Sequence, residues 1–319
     1  MIVYLNSMPP VVMPYGAAPA YCFPLTEYTV YVLFVICLMH AVRKGIPYVT
    51  YLIGGLLFGL LLEFVDVYFL KGYTYGRFNI MIGAPPLDIP FWIGVGWGVI
   101  IYSSRLYTER LGFSILVAAA IDSLLALNID LTMDVTAYRL HMWDWGWVSL
   151  QKDPLNSQWF GIPYNNYFGW LMVVFSYSWF SRLFEKRIRG NTLVQLLYYI
   201  GVMLLSIFIS EIILFSYFKY ISDALQSIGV LSLTRLLTFL CFIIAIVVYR
   251  WNRRTKPVAS LLSLADWIVP AWFHGYFFVW FFIAGFNHEN PWMTIFAILN
   301  LIIGIMLHYG YFMRRTRQA

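Results

Sequence analysis

The chain has 319 residues, of which 61% are apolar and only 11% charged, against about 25% charged in a soluble domain. That balance excludes a soluble globular protein, a disordered chain and a nucleic-acid binder, and the net charge of +6 is explained by where the basic residues fall along the chain. Three cysteines, Cys22, Cys37 and Cys241, without CxxC spacing give neither a zinc site nor a disulfide framework.

A membrane span takes roughly 20 apolar residues. The stretch to Ala20 lacks a basic n-region and is broken by Pro9, Pro10, Pro14 and Pro19, so it does not read as a signal peptide. Nine helices are predicted after it, at about 24–42, 46–70, 89–107, 111–135, 161–183, 192–218, 227–250, 258–286 and 292–313. Helix is preferred to strand because the apolar runs are long and unbroken, and a backbone in lipid must satisfy its own hydrogen bonds. Barrel strands would be shorter and would alternate polar with apolar. The expected fold is an all-α, polytopic transmembrane helix bundle, one membrane domain over residues 1–319, without internal repeats.

Basic residues set the orientation. Arg43/Lys44, Arg105/Arg110, Arg182/Lys186/Arg187/Arg189, Arg250/Arg253/Arg254/Lys256 and Arg314/Arg315/Arg317 follow the odd-numbered helices and hold 15 of the 21 basic residues. The other side has Lys71, Arg77, Arg139, Lys152 and Lys219, and Arg235 lies inside a span. The N-terminus is therefore expected outside and the C-terminus in the cytoplasm. Gly54, Gly55 and Gly59 in the second helix and Gly94, Gly96 and Gly98 in the third would let these two approach closely.

An ionisable group at mid-bilayer costs on the order of 3 kcal/mol, so each one calls for a reason. Glu63 and Asp66 lie in the second helix. Asp122, Asn128, Asp130 and Asp134 lie in the fourth, with Asp130 and Asp134 four apart on one face. Glu211 lies in the sixth helix, Asp266 and His274 in the eighth. With the predicted orientation, Glu63, Asp66, Asp130, Asp134 and Glu211 all fall in the outer third of their spans. Asp88 and Asn165/Asn166 open the third and fifth helices from the same side. A polar pocket beneath the outer surface is expected. Asp66 and Asp134, near predicted helix ends, equally suit exposure to water. Asp122 and Asp266, toward the cytoplasmic half, suit structural pairing with arginine or backbone. His274 reads as a satisfied interior histidine. Trp143, Trp145, Trp147 and Trp159 after the fourth helix suit an interfacial aromatic belt, or a lid whose rings stabilise a carbocation or grip a polyene.

Three segments in order carry a resemblance. The first is Glu63, then Tyr73-Thr-Tyr-Gly-Arg-Phe78, Gly83-Ala-Pro-Pro-Leu-Asp-Ile-Pro90 and Trp97. The second is Asp130-Leu-Thr-Met-Asp134 with Trp143-Asp-Trp145. The third is Trp159-Phe-Gly-Ile-Pro-Tyr-Asn-Asn-Tyr-Phe-Gly-Trp170. Together, over roughly residues 50–180, they resemble the integral-membrane carotenoid biosynthesis family that includes the carotenoid 1,2-hydratases, of the bisanhydrobacterioruberin hydratase and γ-carotene 1'-hydratase type. Val135 stands where that family often has proline. A family-like core is expected over about 46–250, with an extra helix pair at about 258–313.

The resemblance implies addition of water to the terminal double bond of an acyclic carotenoid, without a cofactor or metal. It implies a carotenoid or other long isoprenoid as partner, in membrane lipid, and a place in the inner membrane of a prokaryote. Protonation of the alkene needs a poised carboxylic acid, and a second, ionised carboxylate stabilises the cation or takes a proton from water. The candidate catalytic residues are Glu63, Asp130, Asp134 and Asp66, with Glu63 or Asp130 as the acid. Tyr75, Trp97, Trp143, Trp145, Trp159, Asn165, Asn166 and Trp170 are the candidate substrate-binding residues. Two other classes stay open. Asn128-x-Asp130-x-x-x-Asp134 partly resembles the first Asp-rich motif of UbiA-type prenyltransferases, and a terpenoid cyclase shares the acid-then-cation logic. A transporter or pigment-binding subunit is the non-enzyme alternative. Scattered histidines disfavour a di-iron hydroxylase.

Overall fold

The structure, a computed structural model, describes residues 18–145, 157–186, 190–251 and 263–315, with side chains of the last helix described to His308. Nine long helices run through the described residues. They are α1 Cys22–Lys44, α2 Ile46–Val65, α3 Phe91–Glu109, α4 Ile115–Arg139, α5 Tyr164–Phe184, α6 Thr192–Ser216, α7 Ser232–Arg250, α8 Ile268–Ile283 and α9 Pro291–Arg315. Six of them are long and apolar enough to cross a membrane, and α8 is a shorter apolar helix. The all-α polytopic expectation is met. α3 is buried along almost its whole length, enclosed by α1, α2, α4 and α8. Trp147, Lys152, Arg187, Arg189, Arg253, Arg254, Lys256, Arg317 and the prolines at 9, 10 and 14 lie outside the described residues, as does the predicted start of the eighth helix at 258–262.

Helix ends differ from expectation for local reasons. α4 starts four residues late, because a turn at Arg110–Gly112 and the extended Ser114 precede it. It therefore runs on to Arg139, and Asp134 sits more than a turn inside it. Arg139 fastens that end: its guanidinium donates to Glu289 at 2.7 Å and to the carbonyls of Val135 and Phe160 at 3.1 and 2.9 Å. α2 and α6 both continue as π-helical turns, Asp66–Leu70 and Tyr217–Ile221, and α6 winds on to Ser227. α7 and α8 start later than predicted, at Ser232 and Ile268.

Small residues set the central packing. A Cβ on Gly98 would lie 3.1 Å from the Leu56 nitrogen and 3.2 Å from the Leu52 carbonyl, so α2 and α3 touch backbone to backbone. At one end of the bundle, Asp122 accepts from Thr108 at 2.6 Å and from Ser178 and Arg182 at 2.5 Å. Asp266 pairs with Arg110. Both acids are the structural partners that their depth suggested.

Short strands cover the other end. β1 Thr74–Tyr75 pairs antiparallel with β4 Trp143–Asp144, in register Thr74 to Asp144 and Tyr75 to Trp143. β2 Met81–Ile82 pairs with β3 Ile89–Pro90. Glu27 of α1, fully buried, accepts from the Asn79 and Ile80 nitrogens at 2.8 and 2.9 Å and holds this cover down. Asp88 does not join the acidic layer: it pairs with Arg77 on the cover.

The α2–α3 contact yields a paired test. Gly98→Ala pushes into backbone and should cost about 1–3 kcal/mol. Gly201→Ala on α6 meets open space and should be neutral or slightly stabilising. Thermal unfolding in detergent reads both; equal midpoints for the two variants would contradict the close contact.

Candidate active site

A cavity of about 520 Å³ lies at the covered end of the bundle, between α2, α3, α4, α5 and α6 and beneath the β1–β4 ladder. Its polar wall is built from two carboxylate groups of different character.

The first centres on Glu63, which is 3% exposed. Its Oε1 accepts the Trp97 indole N–H at 2.8 Å, and its Oε2 accepts the hydroxyls of Tyr75, at 2.5 Å, and Tyr73. The local sequence explains each donor. A Cβ on Gly59 would fall 2.5 Å from that of Trp97, so only glycine leaves room for the indole, whose N–H then reaches the carboxyl one turn on. Tyr73 and Tyr75 are two apart in an extended segment, so both side chains point the same way. Burial, reinforced by the Glu63 charge, pushes both hydroxyls well above the usual phenol range, so they remain donors. Asp66, half-buried, lines the cavity nearby.

The second group is Asp130, Asp134 and Asn166. One amide nitrogen, Asn166 Nδ2, donates to Asp130 Oδ2 at 3.1 Å and to Asp134 Oδ2. The two carboxyls thus converge, as their spacing of four predicts. Only Asp134 lines the cavity; Asp130 is fully buried behind it, and its Oδ1 has no partner among the described residues. Of the two, Asp134 rather than Asp130 is placed at the cavity wall. Exposure of Asp134 to bulk water is overturned, since it is 3% exposed.

Aromatic rings form the rest. Tyr75 packs edge-on to Trp143, and Tyr73 to Trp145. The Trp97 and Trp170 rings lie 4.1 Å apart. All six rings line the cavity, as do Asn165 and Asn166. Trp159, a candidate from the sequence, does not line the cavity. The turn that bridges Trp159 to Ile162 sends its ring against Phe160, Tyr167 and Phe296 instead. α6 supplies an apolar wall of Leu214, Phe215 and Phe218, with Glu211 among them.

Asn128 points elsewhere, to His274 Nε2 at 2.9 Å, so Asn128, Asp130 and Asp134 do not converge on one site. His274 is thereby satisfied in the interior. Among the described residues no three His, Cys, Asp or Glu side chains come together as metal ligands. Two contributors escaped the sequence: Tyr73, whose alternation with Tyr75 was a usable signal, and Trp92, which had none.

The three donors on Glu63 make a measurable unit. Tyr75→Phe combined with Glu63→Gln in a double-mutant cycle should give a coupling of about 1.5–3 kcal/mol, the range for hydrogen bonds to a charged group. Denaturation in detergent reads it; additive effects would contradict the contact.

A model of the carotenoid biosynthesis protein family matches residues 25–234, about two thirds of the chain. Comparison with curated proteins and with solved structures finds no match. The matched span runs from α1 to the start of α7 and contains every cavity-lining residue except Phe273 of α8. With this match beside the buried acids and the aromatic cavity, the chain belongs to the carotenoid biosynthesis protein family and acts in carotenoid biosynthesis.

Proposed function

We propose that the protein is a hydratase that adds water to the terminal double bond of an acyclic carotenoid. The observation that carries this is the pairing of two unlike carboxylate groups on one aromatic cavity. Glu63 accepts three hydrogen bonds, and in the proposed reaction these offset the burial of an ionised carboxylate. Asp130 and Asp134 converge on one amide, and two carboxyls that close in an apolar wall share a proton rather than both ionise.

The chemistry follows from that division. Asp134, at the wall, gives its proton to the less substituted carbon of the terminal alkene, and the π electrons form the new C–H bond. The cation left on the tertiary carbon lies among the faces of Trp143, Trp145 and Trp170, with Glu63 as counter-charge. A water oxygen then bonds to that carbon. The oxonium proton returns to the Asp134 carboxylate, so one water is consumed and the acid is regenerated. Asp130 and Asn166 hold Asp134 in place, and Asp66 and Asn165 complete the polar wall. An end group near the membrane surface has water at hand while its polyene stays in the bilayer. The proposed membrane is the inner membrane of a prokaryote, with the covered end facing outward.

The test is expression in a host that accumulates an acyclic carotene, with mass analysis of the pigments. A gain of one water per reacted end is expected. Asp134→Asn should lower it by at least about 100-fold, the usual worth of a general acid, with the protein still inserted. A ring without added water would favour a cyclase, and unchanged pigment that co-purifies with the protein would favour a binding role.

A further inference from the structure

The proposed reaction leaves one buried acid of the cavity without a task. Glu211 sits in α6, in the apolar stretch Ile207–Phe215, and is 8% exposed. Neither carboxyl oxygen has a hydrogen-bond partner among the described residues. An acid in that setting calls for a partner, and Glu211 lines the cavity that holds Glu63 and Asp134. Asn165 of α5 lines it too, and its Oδ1 is likewise without a partner. Both Glu63 oxygens are engaged by Tyr73, Tyr75 and Trp97, and Asp134 Oδ2 by Asn166.

The cavity therefore offers acceptors that want donors, and a carotene end group is hydrocarbon and brings none. We infer that Glu211, with Asn165, binds the water that is added. Water has two O–H donors. Given to Glu211 and Asn165, they fill one acceptor on each and leave the oxygen lone pairs free for the cation. α6 also offers water a way in, since Lys219 and Asp223 on its outer continuation are exposed and line the same cavity. Glu211 thus positions the nucleophile, while Asp134 supplies the proton; this assignment rests on the hydratase proposal.

Loss of the water site should change which product forms, not whether the alkene is protonated. A cation that meets no water loses a proton from a neighbouring carbon and returns to an alkene. In D2O that alkene retains deuterium from the acid. The experiment uses the full chain in liposomes with an acyclic carotene in D2O buffer, and reads by mass the ratio of alcohol to deuterated alkene. Wild type should give mainly alcohol. Glu211→Leu should lower the ratio by about tenfold or more, the loss of one good hydrogen bond, with deuterium still entering the alkene. Glu211→Gln, nearly isosteric and still an acceptor, should fold as wild type and lower the ratio less. An unchanged ratio in Glu211→Gln and Glu211→Leu would overturn the assignment. So would loss of alcohol and deuterium together in inserted Glu211→Leu, which would make Glu211 part of proton delivery. Wild type that takes up deuterium but forms no alcohol would instead overturn the hydratase proposal itself.

Discussion

A carboxylate placed in hydrocarbon must find donors, and the construction around Glu63 follows from that requirement. Its three donors come from two places. Trp97 reaches it from the neighbouring helix and the two tyrosines from the loop above. The helix donor requires α2 and α3 to lie closer than ordinary side chains allow, which Gly59 and Gly98 permit. The loop donors require the 71–90 connection to fold back over the bundle. Pairing with Trp143–Asp144 fixes that fold from one side, and Glu27 of α1 fixes it from another. One buried acid thus links glycine spacing, a four-residue sheet and a second acid 36 residues earlier in the chain.

The opposite end of the bundle shows what these acids are not. Asp122 and Asp266 are buried just as deeply, but each meets an arginine. Their charge is matched, and neither lines the cavity. Among the described residues, Glu63, Asp134 and Glu211 form no ion pair, and they share a cavity walled by rings. Acids neutralised by arginine hold helices together, whereas Glu63, Asp134 and Glu211 stand at the cavity.

Much of this was legible in the sequence, and the gaps have physical causes. Nine long apolar runs and the split of basic residues specify a helix bundle, because lipid allows few alternatives. The layer of acids followed from their depth alone. Depth and periodicity do not say which member of an i, i+4 pair reaches a cavity; it is Asp134, with Asp130 buried behind it. Trp159 misled for a related reason: sequence proximity to the fifth helix said nothing of the turn that rotates its ring toward α9. Two-residue strands carry no periodic signal, so the β1–β4 ladder, which aims Tyr73 and Tyr75, could not be read. Glu211 was visible as a buried acid, but its unmet acceptors emerge only once its neighbours are known.

The proposed hydration depends on a division of charge: Glu63 ionised, and a proton held by the Asp130–Asp134 pair. Infrared difference spectra between wild type and single variants in lipid read this directly. Subtracting Glu63→Gln should reveal only carboxylate bands, and subtracting Asp134→Asn should reveal a protonated carboxyl stretch. A protonated carboxyl band lost with Glu63→Gln, and none lost with Asp134→Asn, would contradict it.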